Sequence, residues 1–411
     1  MRLPATIILM MLMPFISCDD KDEINLGPRE IKVSSQQVEL IEGSNRFGLD
    51  LFREVLSDEP VTENVFISPL SVHLALSMTW NGAGGTTREQ MMETMNYPVI
   101  SEEEINQSIS QLIADLLSVD KKVETGIANS IWYRDNFVVE QDFLETNREY
   151  FDARVAPLDF DNPASCDIIN AWVAEKTKNK IEEIVDQIDP DHIMFLINAI
   201  YFKGIWSTEF VKEKTKQRPF YLSSGNSKDV MSMETEGEFG YVERDGYRVA
   251  ELPYGQGNYS MLLFLPDEET GVAGMINKIT AEEWNELPGL LDNKHHLNLR
   301  LPRFTFEYDT DLNSALISLG MTDAFDGNSA DFTGINSNGG LYISRVRHKS
   351  FVEVNEEGTE AAAVTSVEIR LTSFDPDQSQ IIFFHINRPF VIAIKEKYTN
   401  SIIFIGRVME P

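Results

Sequence analysis

Apolar side chains recur every three or four residues over two long stretches. In residues 44–57 they are Phe47, Leu49, Leu51, Phe52, Val55 and Leu56; in residues 101–119 they are Ile105, Ile109, Leu112, Ile113, Leu116 and Leu117. That spacing lays one face of a helix on a core. Ser68-Pro69 follows the apolar run Val65-Phe66-Ile67 and opens a further helix through Met78 and Trp80 to Asn81. Serine caps such a start and proline fits the first helical position. Residues 82–87 form a turn, and Thr87-Arg88-Glu89-Gln90-Met91 begins the next helix. Residues 140–150, 167–177 and 312–321 also read as helices. Period-two alternation marks strands at 126–133 and 297–304, and residues 230–265 read as short strands and turns. The largely apolar run 195–206 reads as a strand buried on both faces.

One alternating stretch is less settled. From Thr359, one parity holds Thr359, Ala361, Ala363, Thr365, Val367 and Ile369, small or β-branched and uncharged. The other holds Glu360, Ala362, Val364, Ser366, Glu368 and Arg370, which carries every charge of the run. This is the pattern of a strand with one buried face. Gly358 and three consecutive alanines are poor strand formers, so the segment is able to form a strand without being committed to it.

Glu356-Glu357-Gly358-Thr359-Glu360-Ala361-Ala362-Ala363, followed further on by Asn387-Arg388-Pro389-Phe390-Val391, resembles the hinge and C-terminal signature of the serpins. The resemblance spans about residues 30–411. It implies a mixed α+β fold with three β-sheets (A, B and C), eight to nine helices and an exposed reactive-centre loop over about 356–380. Length alone suggests two or more domains. No Pro/Gly/Ser-rich linker or repeat interrupts residues 40–411, and the resemblance implies a single domain over 31–411.

It also implies site residues. Glu356 to Ala363 would be the hinge of the loop. Ser68, Ser71, Asn198 and His348 match the shutter, where sheet A must part, with His348 expected to hydrogen-bond near Asn198. Trp206 falls at the breach, where the loop first enters. Serpins present the loop as bait: a protease forms an acyl-enzyme at one bond, the hinge side inserts into sheet A as a new central strand, and deacylation stalls. As a strand, Thr359 to Thr372 would span roughly 46 Å. Its ladder hydrogen bonds would be worth on the order of 10 kcal/mol together, so an excluded loop means a kinetically trapped native state. Thr359, Ala361, Ala362 and Ala363 have the small, uncharged pattern of inhibitory members. The usual hinge-to-cleavage distance points to Thr372-Ser373, with Leu371-Thr372 and Arg370-Leu371 as alternatives. Arg370 suits a trypsin-like or basic-specific cysteine protease; Leu371 or Thr372 suits an elastase- or chymotrypsin-like one. The stretch up to Pro389 is a few residues longer than in common members. The alternative function is a non-inhibitory serpin-fold binding protein whose loop is cleaved without trapping.

Composition narrows the partners. The net charge is −31, from 66 acidic and 35 basic residues. Nucleic acid, bound through cationic neutralisation of phosphates, is repelled. A cationic protein would be steered in, although the acidity also serves solubility alone. No nucleophile-elbow Gly-x-Ser-x-Gly occurs, and the glycine-rich turn 82–87 lacks the Gly-Lys-Ser/Thr of a phosphate loop and follows a helix. His295-His296, the one histidine pair, reads as a solvated loop without metal-ligand spacing. The resemblance, rather than these absences, implies that the chain is not an enzyme and needs no cofactor or metal, and that its partner is a serine or papain-like cysteine endopeptidase, met as a monomer.

The N-terminus carries an export signal. Arg2 precedes the apolar run 3–16, which is too short for an ordinary membrane span. Phe15-Ile16-Ser17-Cys18 resembles a bacterial lipobox, which implies signal peptide 1–17, lipidation of Cys18, and an anchor in the outer membrane, exposed at the surface or facing the periplasm. A plain secretory signal is the alternative. Asp19-Asp20-Lys21-Asp22-Glu23 then begins an acidic tether over 18–30. Cys166 reads as an inert, partly buried thiol.

Overall fold

The computed structural model describes residues 27–190, 192–359 and 381–411. The helices among these residues are α1 (Ser35–Asp58), α2 (Pro69–Trp80), α3 (Gly85–Thr94), α4 (Glu102–Ser118), α5 (Gln141–Phe151), α6 (Ala164–Lys176), α7 (Gly271–Ile276), α8 (Ala281–Leu291) and α9 (Asn313–Ser318). The strands are β1 (Val65–Ile67), β2 (Val123–Arg134), β3 (Arg154–Leu158), β4 (Met194–Ile205), β5 (Lys216–Tyr221), β6 (Ser227–Arg244), β7 (Tyr247–Tyr254), β8 (Tyr259–Pro266), β9 (Lys294–Pro302), β10 (Phe304–Asp311), β11 (Arg347–Val354), β12 (Gly358–Thr359), β13 (Ile382–His385), β14 (Phe390–Glu396) and β15 (Ile402–Val408).

Local chemistry sets several of these boundaries. Ser68 caps α2 through its side chain, with Pro69 at the first helical position. Ser101 and Glu104 form a reciprocal capping box at the start of α4. A second capping box, Ser34 with Gln37, begins α1 well before the periodic stretch. Within α1, Leu40 and Ile41 are buried, and Gly43 sits against a backbone carbonyl: a Cβ there would lie 2.1 Å from the Asn96 oxygen.

Two hydrogen-bonded sheets result among the described residues. The larger runs β1-β15-β14-β8-β7-β6-β9-β13, with β5 paired to β6. The expected sheets B and C are continuous here because β6 is long: it pairs with β9 over Ser232–Gly240 and with β7 over Gly240–Arg244. The smaller sheet runs β10-β11-β12-β4-β2-β3 and corresponds to sheet A. α2 packs against β4 on one side and β15 on the other, and is buried almost throughout. β8, β14 and β15 are buried along their whole length and form the centre of the core. A second, smaller core lies under α6, where Trp172 meets Trp132 edge-to-face.

β4 departs from expectation. Its apolar run is not buried on both faces, and Leu196, Ile200 and Asn198 are only half-buried. The reason is its neighbour. Among the described residues β4 reaches β11 only through the two residues of β12, and a cavity of about 220 Å³ lies between the two long strands below that point.

Candidate functional site

The expected hinge begins in a tight reversal. Asn355 Oδ1 accepts the backbone N–H groups of Glu357 at 3.0 Å and Gly358 at 3.3 Å, while the Asn355 N–H donates to the Gly358 carbonyl at 3.0 Å. The chain thereby turns back on β11. Thr359 pairs with Val354, and on its other side Gly358 and Thr359 pair with Ile205 and Gly204 of β4. The fit at Gly358 excludes any side chain: a Cβ would lie 2.0 Å from the Gly204 carbonyl oxygen.

Around this point, where the breach is expected, distant residues come together. The Trp206 N–H donates to the Glu357 carbonyl and its indole Nε1 to the Asn355 carbonyl, each at 2.9 Å. Its ring stacks on Tyr254, centroids 4.4 Å apart. Glu356 is buried, and its Oε1 accepts from Arg303 Nε at 2.8 Å, from Arg303 Nη2 and from Thr215 Oγ1 at 2.5 Å. Burial pushes that carboxyl up; the bonds from Arg303 and Thr215 outweigh it and hold it below the ordinary range. Glu357 meets Lys212 at 2.5 Å, and this bond raises the Lys212 ammonium above its usual value.

The residues expected at the shutter gather at the capped start of α2. Ser68 Oγ donates to the Ile403 carbonyl at 2.7 Å and accepts the Ser71 N–H at 3.2 Å. The Ser68 N–H donates to His348 Nε2 at 3.1 Å. His348 is therefore bound as the neutral ring, and burial lowers it to about 4. The expected contact with Asn198 is absent among the described residues. Asn198 instead donates to Asn129 Oδ1 at 2.7 Å on β2, and its carbonyl accepts from Ser71 Oγ at 3.4 Å. The physical reason is the spacing: β4 and β11 are held to α2 separately rather than to each other, and His348, Ser68, Ser71 and Asn198 all line the cavity between them.

His295 and His296 are also placed differently, within β9 rather than in a loop. His296 bridges Glu236 and Glu238 of β6 at 3.1 Å each, and His295 packs edge-on against Tyr241. Adjacent strand residues face opposite ways, so one histidine joins a polar ladder and its neighbour a ring contact. Among the described residues no group of His, Cys, Asp or Glu suits a metal. Glu360, Ala361, Ala362, Ala363, the bond candidates Arg370, Leu371, Thr372 and Ser373, and Cys18 lie outside the described residues. Sequence reading missed Arg303, Thr215, Lys212 and Tyr254, which reach the hinge only through folding; Arg303 stands 53 residues from Glu356.

The family model described as Serpin (serine protease inhibitor) matches residues 42–411. The chain belongs to the serpin family. Among its relatives, the leukocyte elastase inhibitor of Sus scrofa is 36% identical over 91% of this chain and 100% of that protein. Tengpin, a thermophilic serpin solved in its native state, superposes with a TM-score of 0.81 at 34% identity, covering 93% of this chain and 96% of that one. Human thyroxine-binding globulin, solved in complex with thyroxine, superposes with a TM-score of 0.82 at 27% identity, covering 92% of this chain and 100% of that one. The relatives include protease inhibitors, and as a member of the serpin family the chain is not an enzyme. The serpin fold positions Glu356, Trp206 and Thr359 together at one end of the smaller sheet, and Ser68 and His348 further along it.

Proposed function

We propose that this serpin is a suicide-substrate inhibitor that traps a serine or papain-like cysteine endopeptidase as an acyl-enzyme by drawing its cleaved loop into the smaller sheet. One observation carries the reading: Thr359, the first small hinge residue, is buried between Val354 of β11 and Gly204 of β4, at the head of the position a new strand would take. Continuing from there, Thr359, Ala361, Ala363 and Thr365 place uncharged side chains on one face, as insertion requires. The cavity between β4 and β11 extends along the same line. The fold by itself does not choose between trapping and carriage, since thyroxine-binding globulin shares it. The chemistry of the hinge supports trapping.

The scissile bond is taken as Thr372-Ser373, with Leu371-Thr372 and Arg370-Leu371 beside it. We place the protein, exported and anchored through lipidated Cys18, at the bacterial outer membrane, where a surface inhibitor would meet foreign proteases. The test is to mix the protein with elastase-like, trypsin-like and papain-like proteases and run denaturing gels. A band at the combined mass, with the first residue of the released C-terminal peptide at 371, 372 or 373, is the expected result. Clean cleavage without such a band in all three mixtures would establish the non-inhibitory reading instead.

A further inference from the structure

The chain is strongly acidic, yet one groove beside the breach is basic. It is open, about 560 Å³, and lined by Leu117, Lys121, Lys122, Glu124, Lys203 and Ile205, with Asp120 at its base. Among the described residues Lys121, Lys122 and Lys203 make no ion pair, unusual in a chain of net charge −31. The two carboxylates of the groove are already engaged. Asp120 is buried and accepts the backbone N–H groups of Lys122 at 2.9 Å and Gln256 at 2.8 Å; Glu124 pairs with Lys178 at 3.3 Å. Leu117 and Ile205 are 44% and 39% exposed on the same groove.

The N-terminal segment arrives next to it. The Arg29 N–H donates to Asn258 Oδ1 at 2.8 Å and the Arg29 carbonyl accepts from Asn258 Nδ2 at 2.7 Å, so one fully buried side chain fixes both backbone groups. Tyr398 holds the Pro28 carbonyl at 3.3 Å. Pro28 lies against Gly257, where its Cδ is 3.8 Å from the position of a Cβ. Gly257 follows Gln256, the residue stitched to Asp120 at the base of the groove. The described chain therefore begins within a few residues of the three lysines.

What precedes Gly27 is Asp19-Asp20-Lys21-Asp22-Glu23-Ile24-Asn25-Leu26. We infer that this acidic tether docks in the groove, its carboxylates on Lys121, Lys122 and Lys203 and its Ile24 and Leu26 over Leu117 and Ile205. Length permits it: Glu23 to Asp19 lie roughly 13–29 Å of extended chain from Gly27. Charge favours it, because four acids against one lysine meet three lysines whose groove carboxylates are spent. The consequence is local. Ile205 pairs with Gly358 and Gly204 with Thr359, so a docked tether rests on the edge that receives the hinge. The inference holds whether or not Cys18 is lipidated, and whether or not the loop traps a protease.

The test uses the full chain and zero-length carbodiimide cross-linking, which joins a carboxylate to a touching amine, followed by peptide mapping. The expected result at low salt is intramolecular links from Asp19, Asp20, Asp22 or Glu23 to Lys121, Lys122 or Lys203, lost at about 0.5 M salt, where the screening length falls to a few ångströms. A charge swap guards against misreading. Lys121→Glu, Lys122→Glu and Lys203→Glu combined with lysines at positions 19, 20, 22 and 23 should restore links between the same two segments. Links scattered over other lysines, links only between molecules, no links at all, or a folded swap without the restored pairs would each overturn the assignment.

Discussion

Tyr254 and Thr359 share a buried hydroxyl–hydroxyl hydrogen bond of 2.6 Å, the side-chain link that joins the hinge to the larger sheet. Burial raises the Tyr254 phenol well above its ordinary range, so it stays neutral and able to donate. The Tyr254 ring also stacks under Trp206, which holds the two carbonyls of the reversal before Thr359. Tyr254→Phe keeps the stack and removes the bond. It is expected to cost about 1 kcal/mol and to speed amide exchange at residues 355–359, read by mass spectrometry. Unchanged exchange there would mean that the bond does not hold the hinge.

The Arg303–Glu356 pair should respond asymmetrically. The Glu356 side chain is 4% exposed, whereas Arg303 is 43% exposed. Arg303→Ala strands a buried carboxylate and is expected to destabilise by about 2–3 kcal/mol. Glu356→Ala leaves an arginine that water can solvate, and should cost about 1 kcal/mol less, the pair being half-exposed. Chemical denaturation of both single variants and the double variant measures the coupling; strict additivity would remove the pair as a latch.

Gly358→Ala tests the close approach to β4. A Cβ placed 2.0 Å from the Gly204 carbonyl oxygen cannot be accommodated without moving backbone. The expected outcome is a loss of about 1–3 kcal/mol and faster exchange of the Trp206 and Phe210 amides, whose N–H groups are held by Glu357 and Glu356 carbonyls.

Thr359→Arg places a charge where the native side chain is buried. Desolvating an unpaired guanidinium costs several kcal/mol, so the variant is expected to be cut as an ordinary substrate without a denaturant-stable complex. Retention of the complex by this variant would sink the insertion model.

His348 supplies a pH dependence. Its ring titrates at about 4 in the folded chain against 6.5 for the free side chain. Between these values the unfolded chain takes up a proton that the folded chain refuses. Stability from this residue is therefore complete above about pH 6.5 and is lost as pH falls toward 4. His73, also buried and lowered to about 4, adds in the same direction. His348→Gln can still accept from the Ser68 N–H but does not titrate, so its denaturation midpoint should fall less steeply between pH 6.5 and 4.5. An unchanged slope would remove His348 as a contributor.

Much of this molecule was readable in the order of its residues. The Ser68-Pro69 start of α2, the stripe of α4 and the Glu356–Ala363 motif depend on neighbours within a few positions, where periodicity and capping act. The motif also pointed to the family before any geometry was known. Folding alone decided the rest. Arg303 became the partner of Glu356, and Ser68 rather than Asn198 the partner of His348, because separate strands were brought to one place. β4 lost the double burial its apolar run suggested because its neighbour across the sheet is the two-residue β12. Side-chain pattern is a local property of the chain, whereas a partner across a sheet is set by which strands meet and in what register.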